Sequence, residues 1–233
     1  MDRVHRRHFK SFRSKGFRSC YEAGDLYSNQ RCPTLPLFPL NVVVCPDGAL
    51  PLKIFEARYL DMVRDCLRNK TSFAIVTILT EGATDLASNF PFANIGTLVN
   101  IADADVTAIG LLMIRFVGQH RVKVHSFTQQ ADELVVGQVS DVPNDASVTI
   151  AEDLNPSVKV LKQLLKTLAD QDLSPKNLPA VEPYQFENAA WVSNCWIELL
   201  NLPLLQKQRL MQMDSPILRL ELIQDNLDAN KIA

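Results

Sequence analysis

The apolar period of this chain changes once. Up to about residue 142 the apolar residues come in short runs between turn formers; from about 154 to the end they recur at helical spacing. A strand-rich first part followed by a helix-rich second part excludes the alternating βαβ pattern of a parallel α/β sheet. It points to an α+β chain with the two kinds of element segregated. The 233 residues are 47% hydrophobic and 21% charged, enough apolar material for a sizeable core and too much for a disordered chain.

In the first part, Leu35-Pro-Leu-Phe-Pro-Leu-Asn-Val-Val-Val-Cys45 reads as an entering edge strand, since each proline removes a ladder donor. Pro46-Asp47-Gly48 reads as a turn. The spacing of Phe55, Tyr59, Met62, Val63, Cys66 and Leu67 predicts a helix over 54–68. Strands are expected over 73–79, 96–102, 111–117, 121–127 and 134–142, with a loop over 80–94 and a turn at Gly118-Gln119-His120. Short strands with turn signals between them suggest an antiparallel barrel or sandwich. In the second part, Asn155-Pro156 and Ser215-Pro216 each read as an N-cap followed by proline at N1. Helices are expected from 155, over 184–200, over 204–213 and over 217–227, as a bundle. Trp191 and Trp196 sit at helical spacing and read as bundle core.

Charge is distributed unevenly. Residues 1–31 hold eight Lys/Arg against three Asp/Glu, and the other 202 hold 16 against 23, so a basic tail of +5 precedes an acidic body of −7. The tail has no periodic apolar face and reads as disordered; its Arg- and Ser-rich composition is also that of an organelle transit peptide. The acidic body argues against nucleic acid as the partner, because phosphate contacts dominate such binding. No uncharged run approaches the ~20 residues needed to cross a bilayer. Five scattered cysteines without a CxxC pair suit free thiols in a reducing cytoplasm.

Several chemistries are missing. No two glycines are five apart or two apart, so neither a P-loop nor a GxGxxG phosphate cradle occurs. GxSxG and HExxH are absent too. His120 and His125, five apart on a strand, fall on opposite faces and make poor co-ligands. Cys45 and Cys66 lie in apolar runs and read as buried structural thiols. Catalysis, a metal and a cofactor are therefore not expected.

The run from Leu35 to Leu40, then Pro46-Asp-Gly48, Leu50-Pro-Leu and Ile54-Phe-Glu-Ala-Arg-Tyr59, resembles the opening of the Lon protease amino-terminal, or substrate-binding, domain family. Gly96-Thr97, Gly118-x-x-Arg121, Trp191-Val192…Trp196-Ile-Glu-Leu-Leu and Lys207-Gln-Arg-Leu-Met211 extend the likeness over about 34–228, in the manner of the short stand-alone bacterial members. Cys45 and Val122 stand where the family often has Phe, and both keep an apolar group. Composition sets off a tail over 1–31, and the resemblance implies a PUA-like antiparallel β-barrel, over 32–150, followed by a C-terminal helical bundle, over 151–233. It implies a non-catalytic module that binds unfolded or partner polypeptide in the cytoplasm. RNA binding, through a PUA-like barrel or the basic tail, is the alternative. Candidate peptide-binding residues are Glu56, Arg58, Tyr59, Phe90 and Phe92. For the first two, the other reading is an ion pair fixing the helix on the barrel. Phe90-Pro91-Phe92 is either an exposed apolar site or a plug over the barrel mouth.

Overall fold

A computed structural model describes residues 32–79, 90–170, 180 and 182–231. The expectation of a disordered tail over 1–31 lies outside the described residues, as do most of the 80–94 loop and much of the 172–183 connection. The described residues fall in one compact unit, Arg31–Ala233.

Six strands form one sheet: β1 (Thr34–Leu40), β2 (Ala49–Ile54), β3 (Phe73–Thr77), β4 (Ile95–Ala108), β5 (Leu111–Gln129) and β6 (Val135–Asp141). Their order is β2-β5-β4-β3-β1-β6, and a further β5–β6 pairing closes five of them into a ring with β2 outside on β5. The β1–β3 contact is parallel and every other contact antiparallel. A parallel neighbour needs a crossover, here supplied by β2 and helix α1 (Ala57–Asn69). The expected mostly antiparallel ring is therefore present.

Three details differ from the sequence reading. First, β1 is not an edge strand. It pairs with β6 over 34–37 and with β3 over 37–40, so only Leu37 has a partner on both sides. Pro36 and Pro39 each fall where a single neighbour is present, which is why a two-proline strand fits inside a ring. Second, β5 is one strand, not two joined by a turn at 118–120. Its first half pairs with β2 and its second half with β6, along the same side. Third, β4 runs on to Ala108, and the two-residue connection Ile109-Gly110, with Gly110 at φ 74°, turns it into β5.

Gly118 sits at the change of partner in β5. Its N–H donates to Gly48 O at 2.8 Å, and Asp47 N–H donates to Gly118 O at 3.1 Å, which fastens the 45–48 turn to the strand. A Cβ on Gly118 would come within 2.2 Å of the Cys45 carbonyl oxygen, a backbone atom that cannot swing aside. Gly118→Ala is expected to cost about 2–3 kcal/mol, read as a shift in urea midpoint at unchanged m-value.

Strand side chains alternate between two apolar clusters. Leu37, Ala74, Val76, Leu98, Val122 and Val124 lie in one. Phe38, Phe73, Ile75, Val99, Ile114 and Phe116 lie in the other, where α1 covers them with Tyr59, Met62, Val63 and Cys66. The helix starts three residues later than its apolar spacing suggests, and Phe55 and Leu67 are exposed rather than on the buried face.

The bundle contains α2 (Asn155–Asp170), α3 (Ala189–Leu199), α4 (Leu204–Gln212) and α5 (Pro216–Ala229). Every residue from Ala189 to Ile197 is buried, so α3 is its axis, as an all-round apolar helix must be. Trp191 and Trp196 are core. Ser215 caps α5 as expected, accepting from Leu218 N–H. Asn155 does not cap α2: a 3-10 turn at Glu152–Leu154 runs straight into the helix, and Asn155 is itself helical at φ −59°. A neighbour serves instead, with Gln224 Oε1 accepting from Ser157 N–H at 2.9 Å. Helix α3 begins at 189 rather than 184. Asn188 caps it, while Tyr184 and Phe186 pack their rings on Trp191 at 5.8 and 5.3 Å.

Candidate functional site

The barrel meets the bundle around two polar centres. Val43 and Cys45, just after β1, pack into the bundle core. Arg121 of β5, 4% exposed, reaches across to the end of α4, donating to Met213 O at 3.2 Å and Met211 O at 3.3 Å. A cation there meets the unpaired carbonyls and negative dipole end of the helix. Its other nitrogen binds Asp145 Oδ1 at 2.8 Å. The second Asp145 oxygen takes Arg219 of α5, whose Nε donates to Ser193 Oγ at 2.9 Å. One buried carboxylate thus ties strand, linker and helix together.

The second centre is Glu198. Its Oε1 accepts from Cys45 N–H at 2.8 Å, and its carboxyl fills the space where Gly48 lacks a side chain. Burial pushes its pKa up to about 8; the Cys45 N–H and Lys207 oppose the rise. The thiols of Cys45, Cys66 and Cys195 are all pushed up, chiefly by burial. Thiols held protonated are poor nucleophiles, in keeping with a structural role.

The five candidate residues separate into two groups. Arg58 Nη2 binds Glu56 Oε2 at 2.6 Å, and its Nη1 lies 3.3 Å from Glu133 Oε2 in the β5–β6 connection. The Arg58 guanidinium also stands 4.8 Å from the centre of the Tyr59 ring, which stacks on Phe38 at 4.0 Å. Burial raises the Tyr59 pKa, and Arg58 partly offsets this. Arg58 therefore has acidic partners on two elements and joins the start of α1 to the ring. Phe90 and Phe92 lie in the other apolar cluster, each 5.1 Å from Phe127. Phe92 is 2% exposed, so it closes over the core rather than facing solvent. His120 and His125 have separate partners, Asp141 at 2.9 Å and Ser140 at 2.8 Å.

The exposed apolar surface is elsewhere. Phe55 is 67% exposed, Val106 73% and Ile109 fully so. Val106 pairs with Leu112, which pairs on its other side with Ile54, the neighbour of Phe55. These three side chains therefore belong to the tip of the β2–β5–β4 sheet. The sequence reading missed it by ending β4 at 102 and placing Phe55 on a buried helix face. Alternation continuing through Asp103-Ala-Asp-Val-Thr107 to a residue-glycine pair was the available signal.

A family model described as the ATP-dependent protease La (LON) substrate-binding domain matches residues 34–229. Among solved structures, the chain is similar to the Lon N-terminal domain protein from Xanthomonas campestris, with TM-score 0.65 and 33% identity over 83% of this chain and 98% of that one. It shares its fold with the N-terminal domain of Mycobacterium avium complex Lon protease, at TM-score 0.54 and 14% identity over 83% and 97% of the two chains. Among curated proteins it is 23% identical to protein cereblon of Gallus gallus over 160 residues, 67% of this chain and 32% of cereblon. The chain thus spans about a third of that relative's length.

Proposed function

Because the chain belongs to the LON substrate-binding domain family, we propose that it is a non-catalytic module that captures unfolded or partner polypeptide in the cytoplasm. The observation that carries this reading is the group of exposed apolar side chains, Phe55, Val106 and Ile109, at one end of the β2–β5–β4 sheet. Exposed apolar groups on a folded chain favour a partner that covers them, and an unfolded polypeptide offers apolar side chains without a defined shape. Glu56 follows Phe55 in sequence and is held by Arg58. Phe92 is buried, while Phe90 is half-buried beside it and stays a candidate contact. The sequence contains no phosphate cradle, so neither ATP hydrolysis nor casein cleavage should accompany the purified protein.

The test is capture of reduced, carboxymethylated α-lactalbumin, which stays unfolded, against its native form. Replacing Phe55, Val106 and Ile109 together by Ser should weaken capture about tenfold or more. The melting temperature should hold, because exposed sites contribute little to stability. Equal capture by both chains would remove this surface from the function. No capture of unfolded lactalbumin by either would remove the polypeptide reading.

A further inference from the structure

β4 has a partner on only one side for part of its length. β3 pairs with it at Thr97, Leu98 and Val99 and goes no further; Ser72 hydroxyl on Asn100 marks the last row. β5 continues along the opposite side to Ala108. Among the described residues no strand pairs with the outer edge of 102–107, and all of these residues are exposed. Asp103 and Asp105 point to one face, opposite Arg115 and Met113 of β5. Ala104 and Val106 point to the other, opposite Ile114 and Leu112. The register shifts at Ile101/Asp103 and Val106/Ala108 bracket the stretch.

We propose that the outer edge of β4 over 102–107 receives an extended polypeptide segment as an added strand, one that alternates basic and apolar residues. This rests on the polypeptide-binding reading and specifies the class of segment bound. The extended form follows from the edge, whose outward N–H and C=O groups repeat with period two. The alternation follows from the two faces: on one, Asp103 lies across from Arg115 and Asp105, across from Met113, supplies the acid for a basic side chain; Ala104 and Val106 line the other. A second copy of this chain does not fit over more than three residues of the stretch. Antiparallel self-pairing centred on Ala104 sets Asp103 against Asp105, and centring on either acid sets it against itself, and like charges directly opposite are destabilising. The Ala104 N–H donates to its neighbour's Asp103 Oδ1 at 3.1 Å. An incoming carbonyl can take over that N–H. The bracketing bulges confine the occupant to one short strand.

The experiment uses the full chain and a fluorescein-labelled hexapeptide of alternating lysine and valine, followed by anisotropy and by amide hydrogen exchange. The expected result is binding with new protection at 102–107. Binding should weaken about tenfold or more when glutamate replaces lysine, or when alternate peptide amides are N-methylated on the pairing edge. Asp105→Lys should weaken it similarly. If that variant does not fold, the methylated peptide on the unaltered chain decides. Undiminished binding of peptides methylated in either frame, protection confined to other residues, or self-association through 102–107 would overturn the proposal. Failure of the hexapeptide with retained capture of unfolded lactalbumin overturns this edge alone. Failure of both overturns the polypeptide reading beneath it.

Discussion

Asp145→Ala will destabilise the protein by about 3–5 kcal/mol, the typical cost of breaking a buried ion pair by removing one partner. The substitution leaves Arg121 and Arg219, 4% and 0% exposed, facing each other with no carboxylate between them. Arg121 keeps its helix-end carbonyls and the exposed Asp214, 3.5 Å from its Nη2, whereas Arg219 keeps only Ser193 Oγ. At this chain size the loss corresponds to a fall of about 10 °C in melting temperature. The informative control is the apolar triple Arg121→Met, Asp145→Leu, Arg219→Met. It removes all three charges and should recover much of the loss, because the desolvation of buried ions offsets most of their attraction. A single Asp145→Ala change costing under about 1 kcal/mol would mean that the arginines reach water, contrary to their burial.

The second large effect concerns pH. Glu198 holds its proton in the folded protein up to about pH 8, against an ordinary value of 4.5 for an exposed glutamate. Between those values the folded chain binds a proton that the unfolded chain has released, so stability must fall as pH rises. The contribution is fully present below 4.5, declines at up to about 1.4 kcal/mol per pH unit, and is gone above the folded value. Denaturant unfolding at pH 5.5, 6.5, 7.5 and 8.5 should show this slope in the wild-type chain, whereas Glu198→Gln, which keeps an acceptor for Cys45 N–H, should flatten it. Identical slopes in the two chains would show that Glu198 ionises normally and that its carboxyl is hydrated.

What the sequence disclosed follows from what is local. The change of period near 143, the Ser215 cap and the burial of Trp191 and Trp196 depend on spacing along a few turns, and each is as expected. Ring closure, β1's two half-length partners and the unbroken β5 depend on residues distant in sequence. Prolines at 36 and 39 look like edge markers until it is known that the neighbours overlap only at Leu37. Gly118 looks like a turn because nothing local says that the 45–48 segment lies against it. Among the candidate site residues, the Glu56–Arg58 ion pair was expected from the sequence and is present at 2.6 Å. Its second acid, Glu133, was not, since a long loop-to-helix contact has no sequence period. The sequence left Phe92 between an exposed site and a plug over the barrel mouth; it is buried because Phe127, from a strand far along the chain, meets it.

The ring and the bundle also fix an order of events during synthesis. Leu35 pairs with Gly137, so the first strand waits on the ribosome with one side open until β6 has emerged. Val43, Cys45 and the second oxygen of Asp145 wait longer, because Glu198 and Arg219, among the side chains that meet them, belong to α3 and α5. A nascent chain that has emerged only as far as the helices before Glu198 therefore carries a closed ring with an uncovered apolar flank, its Asp145 answered by Arg121 alone. The apolar flank stays open to water until α3 and α5 have emerged to cover it.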